Sequence, residues 1–153
     1  MDISKFKHTH GVTVRNYEID WQGIVHNGNY LLYFEIARVE YFKSIGMKID
    51  ERSISGSVRI VIVRNELDYF SSATFDDELK IYTRVASIKN SSFVCEAFMI
   101  HTGTKIPIAK NVAIMVWTDP KTGKSIPVPT EVRKMVDAYE EGKSEITWPS
   151  IEV

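Results

Sequence analysis

A single cysteine, Cys95, stands among 153 residues. One thiol excludes an internal disulfide and suits a reducing cytosol. No apolar run approaches the ~20 residues of a membrane-spanning helix. The opening Met-Asp-Ile-Ser-Lys-Phe-Lys lacks an apolar signal core, so the expectation is a cytoplasmic protein. Net charge is nearly absent too, since 19 Lys and Arg against 20 Asp and Glu leave −1. Neither nucleic acid nor an anionic membrane is therefore implied as a partner, although a local basic spot could hold a phosphorylated cofactor. Internal repeats and low-complexity segments are missing as well. The length suits one domain with a real core, expected over residues 1–153 with a tail from about residue 142.

What is present is a sequence of distinct patterns. Residues 9–18 alternate around Val12, Val14 and Asn16 and suit a first strand. From Tyr30 the apolar positions fall at 30, 31, 34, 37, 41, 42 and 45, one wide helical face, and Gly46 is a natural C-terminal cap. Residues 46–57 are polar, with Ser53, Ser55, Gly56 and Ser57, and read as a connecting loop with room for a short helical turn. Residues 58–70, 79–85, 92–101 and 105–117 read as strands. Between them lie an acidic turn at 71–78, Lys89-Asn90-Ser91, and Thr102-Gly103-Thr104. Val132, Met135, Val136 and Tyr139 set a final amphipathic helix after Pro129. One strand, a long helix and then four strands imply an α+β domain, with an antiparallel sheet curling around one apolar helix. The pattern alone permits other strand orders.

The chemistry concentrates in residues 16–30. Asp20 sits three residues before Gly23, in a loop that leads into the start of the long helix. The first N–H groups of a helix have no internal partner, and the macrodipole makes that end partly positive. Such donors can bind an anion or a developing oxyanion. A carboxylate beside such donors is one arrangement that can serve as a hydrolytic site. The plainer role for Asp20 is to cap its own loop or the helix start.

The run Tyr17-x-x-Asp20-x-x-Gly23-Ile24-Val25-His26-Asn27-x-x-Tyr30 continues into Tyr33-Phe34-Glu35-x-Ala37-Arg38, with Asp76-Asp77-Glu78-Leu79 downstream. It resembles the signature of the hotdog-fold thioesterases, and within them the 4-hydroxybenzoyl-CoA thioesterase-like family of acyl-CoA thioester hydrolases. The resemblance covers nearly the whole chain and selects the hotdog topology, a curled antiparallel sheet wrapped around one long central helix, with a C-terminal helix. It implies hydrolysis of an aliphatic or aromatic acyl-CoA to free acid and CoA, with coenzyme A as part of the substrate and no separate cofactor. Residue by residue, it implies Asp20 as nucleophile or general base. It makes the Asn27 backbone N–H the oxyanion donor, with Gly28 close by, and sets Gly23, Val25, His26 and Tyr30 along the site. Lys89, Asn90, Ser91 and Ser92 fall where the family keeps the pantetheine arm and nucleotide of CoA, a polar hairpin turn being the alternative. A homodimer with shared active sites, stacked into a homotetramer, is implied as well. The strands at 58–70 and 105–117 are apolar on both faces, and exposed sheet edges are normally covered.

Other residues read more plainly. The Asn27 side chain suits a helix cap. His26 is the alternative base, since histidine is the residue type suited to proton transfer near neutrality, yet family members vary there, so it is expected to line the site. Glu35 and Arg38, three apart on the helix, are expected to pair and to serve structure, and Asp76 and Asp77 to form a solvated turn. His8 and His10 share a face of an extended segment without a third ligand, so no metal is expected. Cys95, amid Phe93, Val94 and Phe98, reads as a buried core thiol, which leaves Cys–His catalysis little support. Two other functions stay open: hydrolysis of the same bond on acyl carrier protein, and a non-catalytic acyl-CoA-binding hotdog module.

Overall fold

The computed structural model describes residues 2–51 and 59–149. The serine-rich loop with Ser53, Ser55, Gly56 and Ser57 lies outside the described residues. Strand β1 is His8–Thr13, shorter than the alternation over 9–18 suggested, because the chain turns into a 3-10 helix at Asn16–Glu18. Helix α1, Asn29–Ile45, matches the apolar period. Gly46 closes it with a left-handed φ of 112°. Its N–H reaches the Lys43 carbonyl and the next N–H, that of Met47, reaches Phe42. This is a Schellman closure, and a Cβ at residue 46 would strain it. Strands β2 (Arg59–Tyr69), β3 (Glu78–Ile88), β4 (Ser92–His101) and β5 (Pro107–Thr118) follow, then helix α2 (Thr130–Tyr139) and the two-residue β6 (Glu145–Ile146).

The strands form one sheet in the order β1-β3-β4-β5-β2, with neighbours antiparallel. Period-two alternation turns Leu79, Ile81 and Val85 of β3 and Phe93, Cys95, Ala97 and Met99 of β4 inward against α1. The core has two lobes. Tyr30, Tyr33, Phe34 and Ala37 pack with Val14, Val25, Leu79 and Met99, while Tyr41, Phe42 and Ile45 pack with Val85, Phe93, Met115 and Trp117. Each large side chain so buried contributes about 1.5–3 kcal/mol. Arg38 falls between the lobes and is buried, as its place in the apolar stripe demanded. It pairs with Glu35 and donates to Asn111 Oδ1 at 3.1 Å, while the Asn111 amide donates to Asn65 Oδ1 at 2.9 Å.

Two expectations need correction. Leu31 is 37% exposed whereas Tyr33, outside the expected stripe, is 2% exposed, so α1 is rotated slightly from the face that the apolar positions define. The segment from 142 does not simply trail away. Glu145–Ile146 adds to β3 in parallel, on the edge that β1 leaves uncovered. The Arg133 guanidinium anchors it, donating to the carbonyls of Val128, Asn90 and Thr147.

At the other side of the sheet, β2 pairs only with β5 among the described residues. Its Ile62 and Val63 are exposed, as are Leu31, Leu32 and Ile36 of α1. No described helix is long and apolar enough to cross a membrane.

Candidate active site

Asp20 stands at the tip of a small hairpin that precedes α1. Ile19 bridges Val25, the Asp20 N–H donates to the Ile24 carbonyl at 2.9 Å, and the Gly23 N–H returns to the Asp20 carbonyl at 3.0 Å. Gly23 takes a φ of 79°, which closes this turn and favours glycine. Oδ1 of Asp20 accepts from the Gln22 N–H at 2.8 Å. The plain role of an Asp in a turn is therefore filled, by one oxygen. The other carboxylate oxygen has no partner among the described residues, and Asp20 is half-buried.

The returning limb of the hairpin runs into α1. Val25 is buried and its N–H meets the Ala73 carbonyl at 2.9 Å; the Ala73 N–H in turn meets the Tyr30 hydroxyl at 3.1 Å. Burial pushes the Tyr30 phenol up. The Glu18 carbonyl accepts from the His26 N–H and from Asn29 Nδ2, both at 2.9 Å. The Asn27 carbonyl accepts from the Tyr69 hydroxyl at 3.1 Å. The Gly28 N–H donates to His26 Nδ1 at 3.1 Å. Among the described residues the Asn27 N–H has no partner, so it is open to a ligand at the entry to α1.

One local expectation changes, and two parts of the loop are narrowed. The N-cap is Gly28 and makes no side-chain cap bond, so Asn27 does not cap the helix. Gly28 offers no open N–H, since His26 uses it. With Nδ1 accepting, the neutral His26 ring carries its proton on Nε2, which leaves neither nitrogen as a free base.

Residues 14–136 match the thioesterase-like superfamily. The chain belongs to it. The sheet curled around α1 is its hotdog fold, and the protein is a thioester hydrolase. An acyl-acyl carrier protein thioesterase of Arabidopsis thaliana, ATL3, is 28% identical over 131 residues, covering 86% of this chain and 67% of that protein. The acyl-CoA thioesterase YbgC of Haemophilus influenzae is 25% identical over 116 residues, covering 76% of this chain and 84% of that one. A solved thioesterase from Thermus thermophilus, complexed with coenzyme A and Zn, superposes with a TM-score of 0.77 at 28% identity, covering 90% of this chain and 96% of that one.

Not every expected site residue of this thioesterase gathers at Asp20. The Lys89 N–H closes the β3–β4 hairpin on the Ser92 carbonyl at 2.8 Å. The Asn90 carbonyl accepts from Val128 and Arg133, and the Ser91 carbonyl from Trp117. That hairpin lies at the end of β3 remote from the segment holding the Asp20 loop, roughly 35 Å along the strand at ~3.3 Å per residue. Within one protomer the two do not meet. Asp77 is less free than a solvated turn, since it accepts from the Thr74 N–H and pairs with His101 at 3.4 Å. Cys95 is buried, and burial pushes its thiol up to about 12, so no thiolate forms near neutrality. Burial lowers His8, and no three His, Cys, Asp or Glu side chains among the described residues gather as metal ligands. Sequence reasoning missed Asn29, Tyr69 and the Glu18 carbonyl. Glu18 and Asn29 both fall inside the motif, at positions it leaves open, whereas Tyr69 lies outside it.

Proposed function

We propose that this thioesterase hydrolyses acyl-CoA thioesters, aliphatic or aromatic, to a free acid and CoA. The observation that carries the reading is the divided Asp20 carboxylate, one oxygen held by Gln22 and the other open, on a hairpin that leads to the unpartnered Asn27 N–H. The thioester carbonyl oxygen accepts from that N–H, which stabilises the charge developing on it. Asp20 then acts by one of two routes. Its open oxygen attacks the carbonyl carbon, expels the CoA thiolate and leaves a mixed anhydride for water to cleave. Otherwise it takes a proton from a water that attacks directly. Gly23 shapes the turn, Val25 and Tyr30 wall the site, and His26 lines it while bonded to Gly28.

The site is shared between two copies. A long unpaired β2 edge invites pairing, and exposed Ile62, Val63, Leu32 and Ile36 supply apolar area for it. A two-fold axis at that edge makes one continuous sheet. It also reverses direction, bringing the Lys89, Asn90, Ser91 and Ser92 hairpin of one copy toward the Asp20 end of the other, where it meets the CoA arm. Stacking of two such dimers into a tetramer completes the reading.

The CoA complex of the Thermus relative and the acyl-CoA substrate named for the Haemophilus one favour CoA. The likeness to an acyl carrier protein thioesterase keeps that carrier as the second reading. A screen of CoA thioesters from acetyl to palmitoyl, with benzoyl-CoA and an acyl carrier protein thioester, separates them by free-thiol release. The expected result is at least one CoA thioester turned over with kcat/KM above about 10⁴ M⁻¹s⁻¹. Turnover of the carrier-protein thioester alone selects the second reading. Binding without turnover marks a non-catalytic module.

A further inference from the structure

Five bonds hold the two-residue arch Asn27-Gly28, among them the Asn29 N–H to the His26 carbonyl at 2.9 Å across it, and one of the five reaches it by an unusual route. Asn29 is the first residue of α1, one past the N-cap whose side chain ordinarily satisfies the helix's open N–H groups, and Gly28 at that cap has no side chain to offer. The Asn29 Nδ2 reaches the Glu18 carbonyl, 2.9 Å away and eleven residues earlier in the chain. The partner is a carbonyl, so the donor is the NH₂ end of the amide. The same carbonyl accepts from the His26 N–H at 2.9 Å, so one oxygen pins the chain on both sides of Asn27.

That oxygen is itself fixed. The Glu18 carboxylate accepts from the Arg15 N–H at 2.6 Å and the Glu18 N–H returns to the Arg15 carbonyl at 3.1 Å, which locks the 3-10 turn carrying it. On the arch, Tyr69 holds the Asn27 carbonyl and His26 holds the Gly28 N–H. The one polar main-chain group left over is the Asn27 N–H. Gly28, without a Cβ, gives the arch freedom to swing if either anchor is lost.

Resting on the oxyanion reading above, we infer that Asn29 is a positioning residue whose side-chain N–H, bound to the Glu18 carbonyl, aims the Asn27 N–H at the reacting carbonyl. Preorganised direction is what gives an oxyanion donor its value, and a misplacement of about 1 Å can cost roughly 10²-fold in rate.

Asn29→Asp is the decisive variant. It keeps the shape of the side chain, removes its donor, and adds a negative charge in the first helical turn, where the macrodipole favours it. The Asp oxygen also faces the Glu18 carbonyl with no proton between them, so a residue serving only the fold would lower Tm while leaving kcat near that of the parent. The positioning role predicts a kcat about 10–100-fold lower for Asn29→Asp and Asn29→Ala alike, with KM changed by less than about threefold. Benzoyl-CoA and octanoyl-CoA are the probes. A second measurement needs no turnover: amide hydrogen exchange on the whole chain should show the His26 N–H exchanging about 2–10-fold faster in both variants, with β3 and β4 amides unchanged. Parent-like kcat in Asn29→Asp, or parent-like His26 exchange, overturns the inference. If the parent chain hydrolyses neither probe, the functional reading fails instead, and exchange alone decides whether Asn29 holds the arch.

Discussion

Asp20→Asn is the substitution that separates chemistry from folding in this site. The parent Oδ1 accepts the Gln22 N–H at 2.8 Å, and an asparagine amide oxygen accepts the same bond. The turn through Gly23 therefore survives, and Tm should stay close to that of the parent. What disappears is the negative charge on the open oxygen, and with it both the attack on a carbonyl and the removal of a proton from water. Loss of a positioned acid–base group costs about 10²–10⁴ in rate, or roughly 2.7–5.4 kcal/mol of barrier. Asp20→Ala should lose as much activity and also some stability, because the Gln22 N–H then lacks its acceptor, a cap-like loss of about 0.5–2 kcal/mol. Free-thiol release from the best CoA thioester, beside thermal melts of both variants, measures the two effects independently. Near-parental turnover in an Asp20→Asn protein that melts normally would refute the assignment of Asp20.

Three further outcomes are expected. Tyr69→Phe keeps the ring contact with Tyr30 but removes the donor to the Asn27 carbonyl; kcat should fall about 2–10-fold, and an unchanged kcat would remove Tyr69 from the site. Val63→Asp puts a charge on the exposed β2 edge, so light scattering should fall from four times the 17.5 kDa chain mass toward that of one chain with activity lost; a fully active monomer would end the shared-site model. Burial pushes the Glu140 carboxyl up from its ordinary 4.5, although Tyr41 donates to it at 2.7 Å. The native state therefore holds that proton more tightly than the unfolded chain, so its contribution is fullest below about pH 4.5 and declines as pH rises through the native value. Glu140→Gln should flatten that decline in Tm, and curves of equal slope would exclude Glu140 as its source.

The fold was legible wherever burial repeats along the chain. Alternation found β3, apolar runs between turn signals found β2, β4 and β5, and the 3.6 period found both helices, because an element facing the core must carry its apolar residues at matching positions. It failed where that premise fails. Leu31, Leu32 and Ile36 are apolar yet exposed, so α1 carries more apolar surface than its own core uses, and the expected stripe drifted toward Leu31. β1 was read too long because the turn at Asn16–Glu18 is held by a Glu18 carboxylate on a backbone N–H, a bond with no periodic signature. The segment after residue 142 looked like a tail because it is polar. What retains it is the grip of Arg133 on backbone carbonyls, and every residue type supplies a carbonyl.

The same distinction explains the site. The two readings of Asp20, turn cap and reactive carboxylate, looked like competitors in the sequence, but a carboxylate has two oxygens and the geometry uses one for the turn. The turn bond then serves the chemistry, since an oxygen held by Gln22 orients the other without lengthening the loop. Asn27 and His26 could not be sorted in this way beforehand. Their parts depend on which main-chain groups are already occupied, and those are set by Glu18, Asn29 and the sequence-distant Tyr69, from three different elements. A motif names the residues that meet substrate. It does not name the bonds that leave one N–H open among several closed ones, and that selection arises only when the hairpin, the first turn of α1 and the end of β2 have packed together.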